Sequence, residues 1–260
     1  MNTEEILEII RAEYQQILGE NLVGIYVHGS VAFGCFHPQH SDIDFIVIVR
    51  KPLTMVCKKA LISSILELEP VFPAKGAEMS VVLESDARHF VHPCPFELHY
   101  SRAYTAWAQR NLDDYCCRMN GTDPDLAAHF TVIRSVGKVL CGKNVQEVFG
   151  EVPSADYLAS LRYDAADAPE GIHHQPVYFI LNLCRIAAYL AEGKVLSKKT
   201  GGEWGATHLP ELFHPLIRKA LAAYAGEMTE DFEADALAAF ARGMLALIET
   251  GGKNERQSLH

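Results

Sequence analysis

The sequence predicts an α+β protein in which an N-terminal domain with a mixed β-sheet and flanking helices precedes an all-helical C-terminal domain. Three observations carry this expectation. Leu22–Val27 and Ile43–Val49 are short, largely apolar runs, the second strongly β-branched, and Ala77–Leu83 (AEMSVVL) is a third of similar length. A helix-like stretch, Lys59–Leu68, separates the second run from the third, so strand, loop, strand, helix, strand implies a mixed sheet with helices packed on it. Beyond about residue 100, Ala and Leu recur at helical spacing, with no strand signal of comparable strength.

Residues 3–18 form the first expected helix. Thr3 can cap it, Glu4 and Glu5 occupy its first turn, and Ile6, Ile9, Ile10, Tyr14 and Ile17 fall on one face. Gly19 then serves as a stop. Ile43–Val49 is apolar on both faces, as in a strand covered on both sides. The later helical patterns span 101–118, 123–141, 154–163, 176–192, 208–225 and 230–249. Ala165–Pro176, with Pro, Gly and paired His, and Lys198–Thr207, with three Gly, read as loops. The expected division is 1–120 for the sheet domain and 121–252 for the helical one, with a polar, disordered tail at 253–260.

Composition narrows the function classes. The 260 residues include 49% hydrophobic and 22% charged side chains, as in a folded globular protein. The net charge of −10 excludes a broad nucleic-acid face, which needs clustered cations, but suits a cationic small molecule. Seven cysteines without a C-x-x-C pair fit reduced thiols better than a disulfide framework or a zinc site. The acidic N-terminus lacks the pattern of a signal peptide, and no run reaches the roughly 20 apolar residues of a membrane span, so the cytoplasm is the expected compartment; the expected oligomeric state is a monomer.

The chemistry resides in residues 28–49, HGSVAFGCFHPQHSDIDFIVIV. Gly29 allows backbone N–H groups to approach a phosphate, and Ser30 adds a hydroxyl donor. Asp42 and Asp44, two apart at a strand entry, share one face with Ile43 on the other. Adjacent carboxylates repel unless a cation lies among them, and an oxygen-only set suits Mg²⁺. D-x-D alone reads as an ordinary strand entry. The whole pattern of strand, Gly-Ser, D-x-D and apolar strand points instead to metal-assisted phosphoryl transfer with two bridged ions.

G-S-x(11)-D-x-D resembles the signature of the DNA polymerase β-like nucleotidyltransferase superfamily. It is most similar to that of the bacterial streptomycin/spectinomycin aminoglycoside adenylyltransferases, which share the Gly-Ser, a second glycine (Gly34 here) and Ser-Asp-Ile-Asp (Ser41–Asp44). The likeness continues through AEMSVVL at 77–83, residues 125–149, and YFILNLCRIAAYLAEGKVLSKKTGGEW at 178–204. The resemblance implies an N-terminal nucleotidyltransferase domain that binds ATP with Mg²⁺ and transfers AMP to a hydroxyl of an aminoglycoside or aminocyclitol. It implies that Glu78 is the catalytic base and third metal ligand beside Asp42 and Asp44. It also implies that Gly29, Ser30 and Ser41 contact the nucleotide and that Arg185 and Lys198 hold its phosphates, with Lys199 competing for the last role. A charge at the centre of AEMSVVL has two readings, an edge-strand face toward water or a site residue.

The antibiotic contacts depart from the family pattern. Gly171 and Gln175 stand where streptomycin-modifying members carry two acids, with Glu170 adjacent, and the family Trp falls near Ala103, beside Tyr104 and Trp107. Tyr104, Glu170, His173 and Gln175 are therefore the candidate acceptor contacts. His28, His37, His40, His173 and His174 lack helical metal-ligand spacing and read as solvated loop residues. Two alternatives keep the fold: transfer to a protein or RNA acceptor, and a nucleotide-binding, antitoxin-like module without turnover.

Overall fold

The computed structural model describes residues 1–228 and 231–257. The chain divides into two units, Met1–Tyr157 and Leu158–His260.

In the first unit, α1 (Thr3–Leu18) is capped by Asn2, one residue before the expected Thr3, with Asn2 and Glu5 exchanging backbone-to-side-chain hydrogen bonds of 2.9 Å. There follow β1 (Leu22–Val27), α2 (Gly29–Phe33), β2 (Ile43–Val49) and α3 (Met55–Leu68). Helix α3 starts before the expected Lys59 because Thr54 caps it by accepting from the Cys57 N–H. Next come β3 (Ala77–Leu83), α4 (Glu84–Arg88), β4 (Cys94–Phe96) and β5 (Leu98–Tyr100). The expected helix at 101–118 is broken into α5 (Thr105–Arg110) and α6 (Leu112–Arg118), the second capped by Asn111.

The expected helix at 123–141 is interrupted more deeply. It resolves into β6 (Gly121–Asp123), α7 (Leu126–Val136) and β7 (Lys138–Gly142). Gly137 ends α7, and β7 pairs antiparallel with β1. Gly142 has φ +101°, and a Cβ there would lie 2.2 Å from the Val23 carbonyl oxygen, so the edge contact requires glycine. Helix α8 (Val145–Val148) and the start of α9 (Ser154–Ala165) complete the unit. The division thus falls between Tyr157 and Leu158 rather than near residue 120, because β7 belongs to the first unit's sheet.

That sheet has the order β5-β3-β2-β1-β7, with β2 and β3 parallel and the other pairs antiparallel. Strand β2 lies at its centre, and its side chains alternate between two cores. Ile43, Phe45, Val47 and Val49 pack with Ile10, Tyr14, Leu61 and Ile65. Ile46 and Ile48 pack on the opposite face with Tyr26, Phe130, Ile133 and Phe149. Each fully buried side chain of this kind contributes about 1.5–3 kcal/mol relative to exposure, so β2 is the rigid element on which the site is built.

The second unit is helical. After the remainder of α9 come α10 (Ala168–Gly171), α11 (Pro176–Glu192), α12 (Lys198–His208), α13 (His214–Tyr224) and α14 (Ala234–Gln257). Helix α12 replaces the loop expected at 198–207. Its glycines face α11, where a Cβ on Gly201 would lie 2.6 Å from Arg185 Cβ and one on Gly205 would lie 2.7 Å from Cys184 Sγ. Glycine weakens a helix by about 1 kcal/mol per residue, and close packing against α11 offsets this here. Helix α13 starts at His214, later than the expected 208, and α10 lies within the expected loop at 165–176. Helix α14 begins at Ala234 and runs to Gln257, through the first part of the tail expected to be disordered; residues 258–260, like 229 and 230, lie outside the described residues. Among the described residues no helix is long and apolar enough to cross a membrane.

Candidate active site

Parallel pairing sets the first unit's site. Asp44 lies opposite Glu78 in register, with Ile46 opposite Ser80 and Ile48 opposite Val82, so both acids face the side on which Phe130 and Ile133 of α7 pack. Asp42, two residues before Asp44, joins them. One carboxylate oxygen from each of Asp42, Asp44 and Glu78 lies within 4.8 Å of the others, and all three residues are half-buried. This is the only such cluster of three or more His, Cys, Asp or Glu ligands among the described residues. Glu78 therefore lies in this cluster, on a strand paired on both sides, rather than on a sheet edge.

The Gly-Ser turn closes on this cluster. The His28 N–H donates to the Asp44 carbonyl oxygen at 2.9 Å. Gly29 has φ +56°, and a Cβ there would sit 1.8 Å from Asp44 Oδ2. Glycine at this position thus permits both the left-handed backbone and the inward carboxylate. Ser30 Oγ is buried with no hydrogen-bond partner, an unmet polar group of the kind a ligand oxygen satisfies. Ser41 is also buried, but its Oγ accepts from the His37 N–H at 3.0 Å, so it braces the 37–41 loop.

Histidines absent from the sequence-derived site line the same face. On α7, His129 Nε2 lies 3.3 Å from Asp125 and 3.8 Å from Glu78 Oε1, and its ring contacts that of His28 with centroids 4.6 Å apart. Burial alone would lower the His129 pKa, but Asp125, Glu78 and Asp123 outweigh it and raise the pKa to about 10. Burial raises Glu78 to about 7, against the pull of His129 and with help from the neighbouring acids. His28 is held well below its ordinary value by burial and by His129. His99 Nδ1 lies 2.9 Å from Ser80 Oγ, and burial lowers its pKa to about 4. The Asp125–His129 pair is an i, i+4 helix pair, so its spacing was visible in the sequence, although its proximity to Glu78 was not.

A divalent cation fits the three acids. They supply oxygen donors only, they crowd like charges that a cation would relieve, and burial has already raised the pKa of one of them. All seven cysteines are free.

In the second unit, Arg185 lies on α11 and Lys198 on the first turn of α12, after a capping box made by Ser197 and Thr200. Lys198 Nζ sits 4.4 Å from the centre of the Tyr178 ring, whereas Lys199 is exposed and lies 4.0 Å from Glu203 one turn on. Of the two lysines, Lys198 is therefore the one built into a local polar cluster with Arg185. Glu170, His173 and Gln175 are exposed, on or just beyond α10. A Cβ at Gly171 would lie 2.3 Å from the Phe179 ring, so a side chain there requires that ring to shift. Tyr104 is exposed on the first unit, with its ring near those of His99, Trp107 and Tyr115. Asp164 and Asn182, which bind Arg185, escaped the sequence reading. Tyr178, Asn182 and Arg185 share one face at helical spacing, but the partner acid comes from a separate helix.

Comparison with known proteins bears on both units. Residues 4–80 match the nucleotidyltransferase domain family model, and residues 147–247 match that of the aminoglycoside adenylyltransferase C-terminal domain. The chain is 25% identical over 238 residues to an aminoglycoside (3'') (9) adenylyltransferase of Klebsiella pneumoniae, covering 86% of this chain and 88% of the relative. It is 24% identical over 235 residues to a spectinomycin 9-adenylyltransferase of Enterococcus faecalis, covering 88% and 90%. A crystal structure of the Enterococcus spectinomycin adenylyltransferase AAD(9) with ATP and spectinomycin superposes with a TM-score of 0.80 at 21% identity. It covers 95% of this chain and all of that one, so the two folds agree.

Proposed function

This chain belongs to the aminoglycoside (streptomycin/spectinomycin) adenylyltransferase family and is an enzyme of the nucleotidyltransferase class, and from that premise we propose that it transfers AMP from ATP to a hydroxyl of an aminoglycoside or aminocyclitol. The observation that supports this best is the convergence of Asp42, Asp44 and Glu78 oxygens within 4.8 Å, beside the Gly29–Ser30 turn.

In this reading Asp42, Asp44 and Glu78 hold Mg²⁺, two ions in all, and the metal supplies charge neutralisation at the phosphates and a more acidic acceptor hydroxyl. Gly29 keeps the strand-to-helix turn close to the acids, and Ser30 donates its unpaired hydroxyl to a phosphate oxygen. Ser41 keeps that loop in place. Arg185 and Lys198 supply cationic contacts to the triphosphate. Glu78 removes the proton from the acceptor hydroxyl as the general base. The freed oxygen attacks the α-phosphorus, the bond to the β-phosphate oxygen breaks, and pyrophosphate leaves with its electron pair. Most of the acceleration comes from positioning and from charge compensation.

The acceptor is cationic, and Tyr104, Glu170, His173 and Gln175 contact it. Glycine at 171 and glutamine at 175 leave fewer acids than streptomycin recognition uses, which favours a less highly charged acceptor such as spectinomycin. The enzyme acts in the cytoplasm as a monomer and does not engage nucleic acid, in keeping with its charge of −10. The direct test is Asp44→Asn. Pyrophosphate release from ATP with spectinomycin should be abolished while the circular dichroism spectrum is unchanged; full activity in that variant overturns the proposal.

A further inference from the structure

Arg185 does not stand alone on α11. Asp164, from α9, accepts a hydrogen bond from the Tyr178 hydroxyl at 2.7 Å through Oδ1, and through Oδ2 one from the Asn182 amide at 2.6 Å. The same Oδ2 lies 3.6 Å from the Arg185 Nη2 nitrogen, and Arg185 Nε donates to Asn182 Oδ1 at 2.5 Å. Asn182 is fully buried, so its amide orientation is fixed by these partners. A guanidinium is planar, so the Nε hydrogen bond to an amide that Asp164 itself holds, with the Asp164 ion pair beside Nη2, sets the direction of its other donors. The Tyr178 ring that Asp164 orients is also the ring over which Lys198 Nζ lies. One carboxylate therefore orders Arg185 directly and Lys198 through Tyr178, and offsets their charge before any anion arrives.

We propose that Asp164 is a positioning residue for anion binding: by holding Arg185 directly and Lys198 through Tyr178, it pre-orients the cations that contact the nucleotide's phosphates. This rests on the reading that Arg185 contacts the triphosphate. An acid beside a phosphate site opposes binding by its charge alone, so a net gain from Asp164 has to come through the cations it orients. Pre-ordering lowers the entropy lost when long, flexible side chains are fixed on binding.

The test is a double-mutant cycle on ATP affinity, measured by calorimetry on the full chain with Mg²⁺, for Asp164→Ala, Arg185→Ala and the double variant. Asp164→Ala should weaken ATP binding about tenfold, a coupling typical of residues in one hydrogen-bonded network. In the Arg185→Ala background it should add about twofold or less, because the group it positions is gone. A structural role alone would lower the unfolding midpoint and leave ATP affinity unchanged, and a role independent of Arg185 would give additive losses; either overturns the inference. Asp164→Asn keeps the volume and an oxygen acceptor, and it takes the place of the alanine variant should that one not fold, with loss of ATP affinity again expected and an unchanged affinity again decisive against the inference. If Arg185→Ala leaves ATP affinity unchanged, the phosphate-contact reading itself fails; if Arg185→Ala weakens it and Asp164→Ala does not, only the positioning inference fails.

Discussion

Gly29→Ala tests the construction of the site with the smallest possible change. The added methyl would lie 1.8 Å from Asp44 Oδ2 and 2.7 Å from its Cγ, where Cβ atoms essentially never approach within 3.0 Å. Either the turn or the carboxylate must move by roughly 1 Å, and a misplacement of that size at a reacting centre costs about 100-fold in rate. Rotating Asp44 away relieves the overlap but breaks up the triad with Asp42 and Glu78. The φ of +56° adds about 1–2 kcal/mol of left-handed strain for alanine. For a unit of this size that corresponds to a melting temperature lower by about 2–8 °C. Pyrophosphate release with ATP, Mg²⁺ and spectinomycin, alongside thermal unfolding, checks both figures. A variant with kcat within about twofold of the parent, where about 100-fold is expected, would refute the claim that glycine is required to admit the Asp44 carboxylate.

Two further outcomes follow from the geometry. Lys198→Ala should raise KM for ATP about tenfold, as expected for a lost charge-assisted phosphate contact, whereas Lys199→Ala, which removes only an exposed helix pair, should leave it unchanged in the same steady-state assay. In metal-free protein the His129 ion pair should add stability at low pH and lose it as pH rises. The His129 pKa is raised from 6.5 to about 10 in the fold, so the stabilisation is complete below about 6.5 and fades through 10. Urea unfolding in EDTA should therefore show the gap between the parent and His129→Gln narrowing between pH 7 and 10; a gap that widens contradicts the assigned charge.

Much of the first unit was legible because its signals are local. The runs 22–27, 43–49 and 77–83 are strands with those bounds, and the period of two that placed Asp42 and Asp44 on one face holds in the register with Glu78. The errors came where tertiary contact overrides local pattern. Residues 138–142 are too short to announce a strand, and only pairing with β1 makes them one. Lys198–His208 read as a loop because its glycines disfavour an isolated helix, yet those glycines are what let it pack against α11. The same limit applies to the site. Asp164 and His129 act on residues distant in sequence, so their partners emerge only when helices pack, whereas the Gly-Ser turn and the D-x-D pair lie within one strand–loop–strand segment.

The central claim is that the three-acid cluster transfers AMP to an aminocyclitol hydroxyl. Incubating the purified chain with ATP labelled at the α-phosphate, Mg²⁺ and separate spectinomycin, streptomycin, total RNA and protein acceptors, beside Asp44→Asn, measures it directly. Label should appear on spectinomycin in equal amount to the pyrophosphate released, and none with Asp44→Asn. Label found on protein or RNA alone, or undiminished transfer by Asp44→Asn, would contradict it.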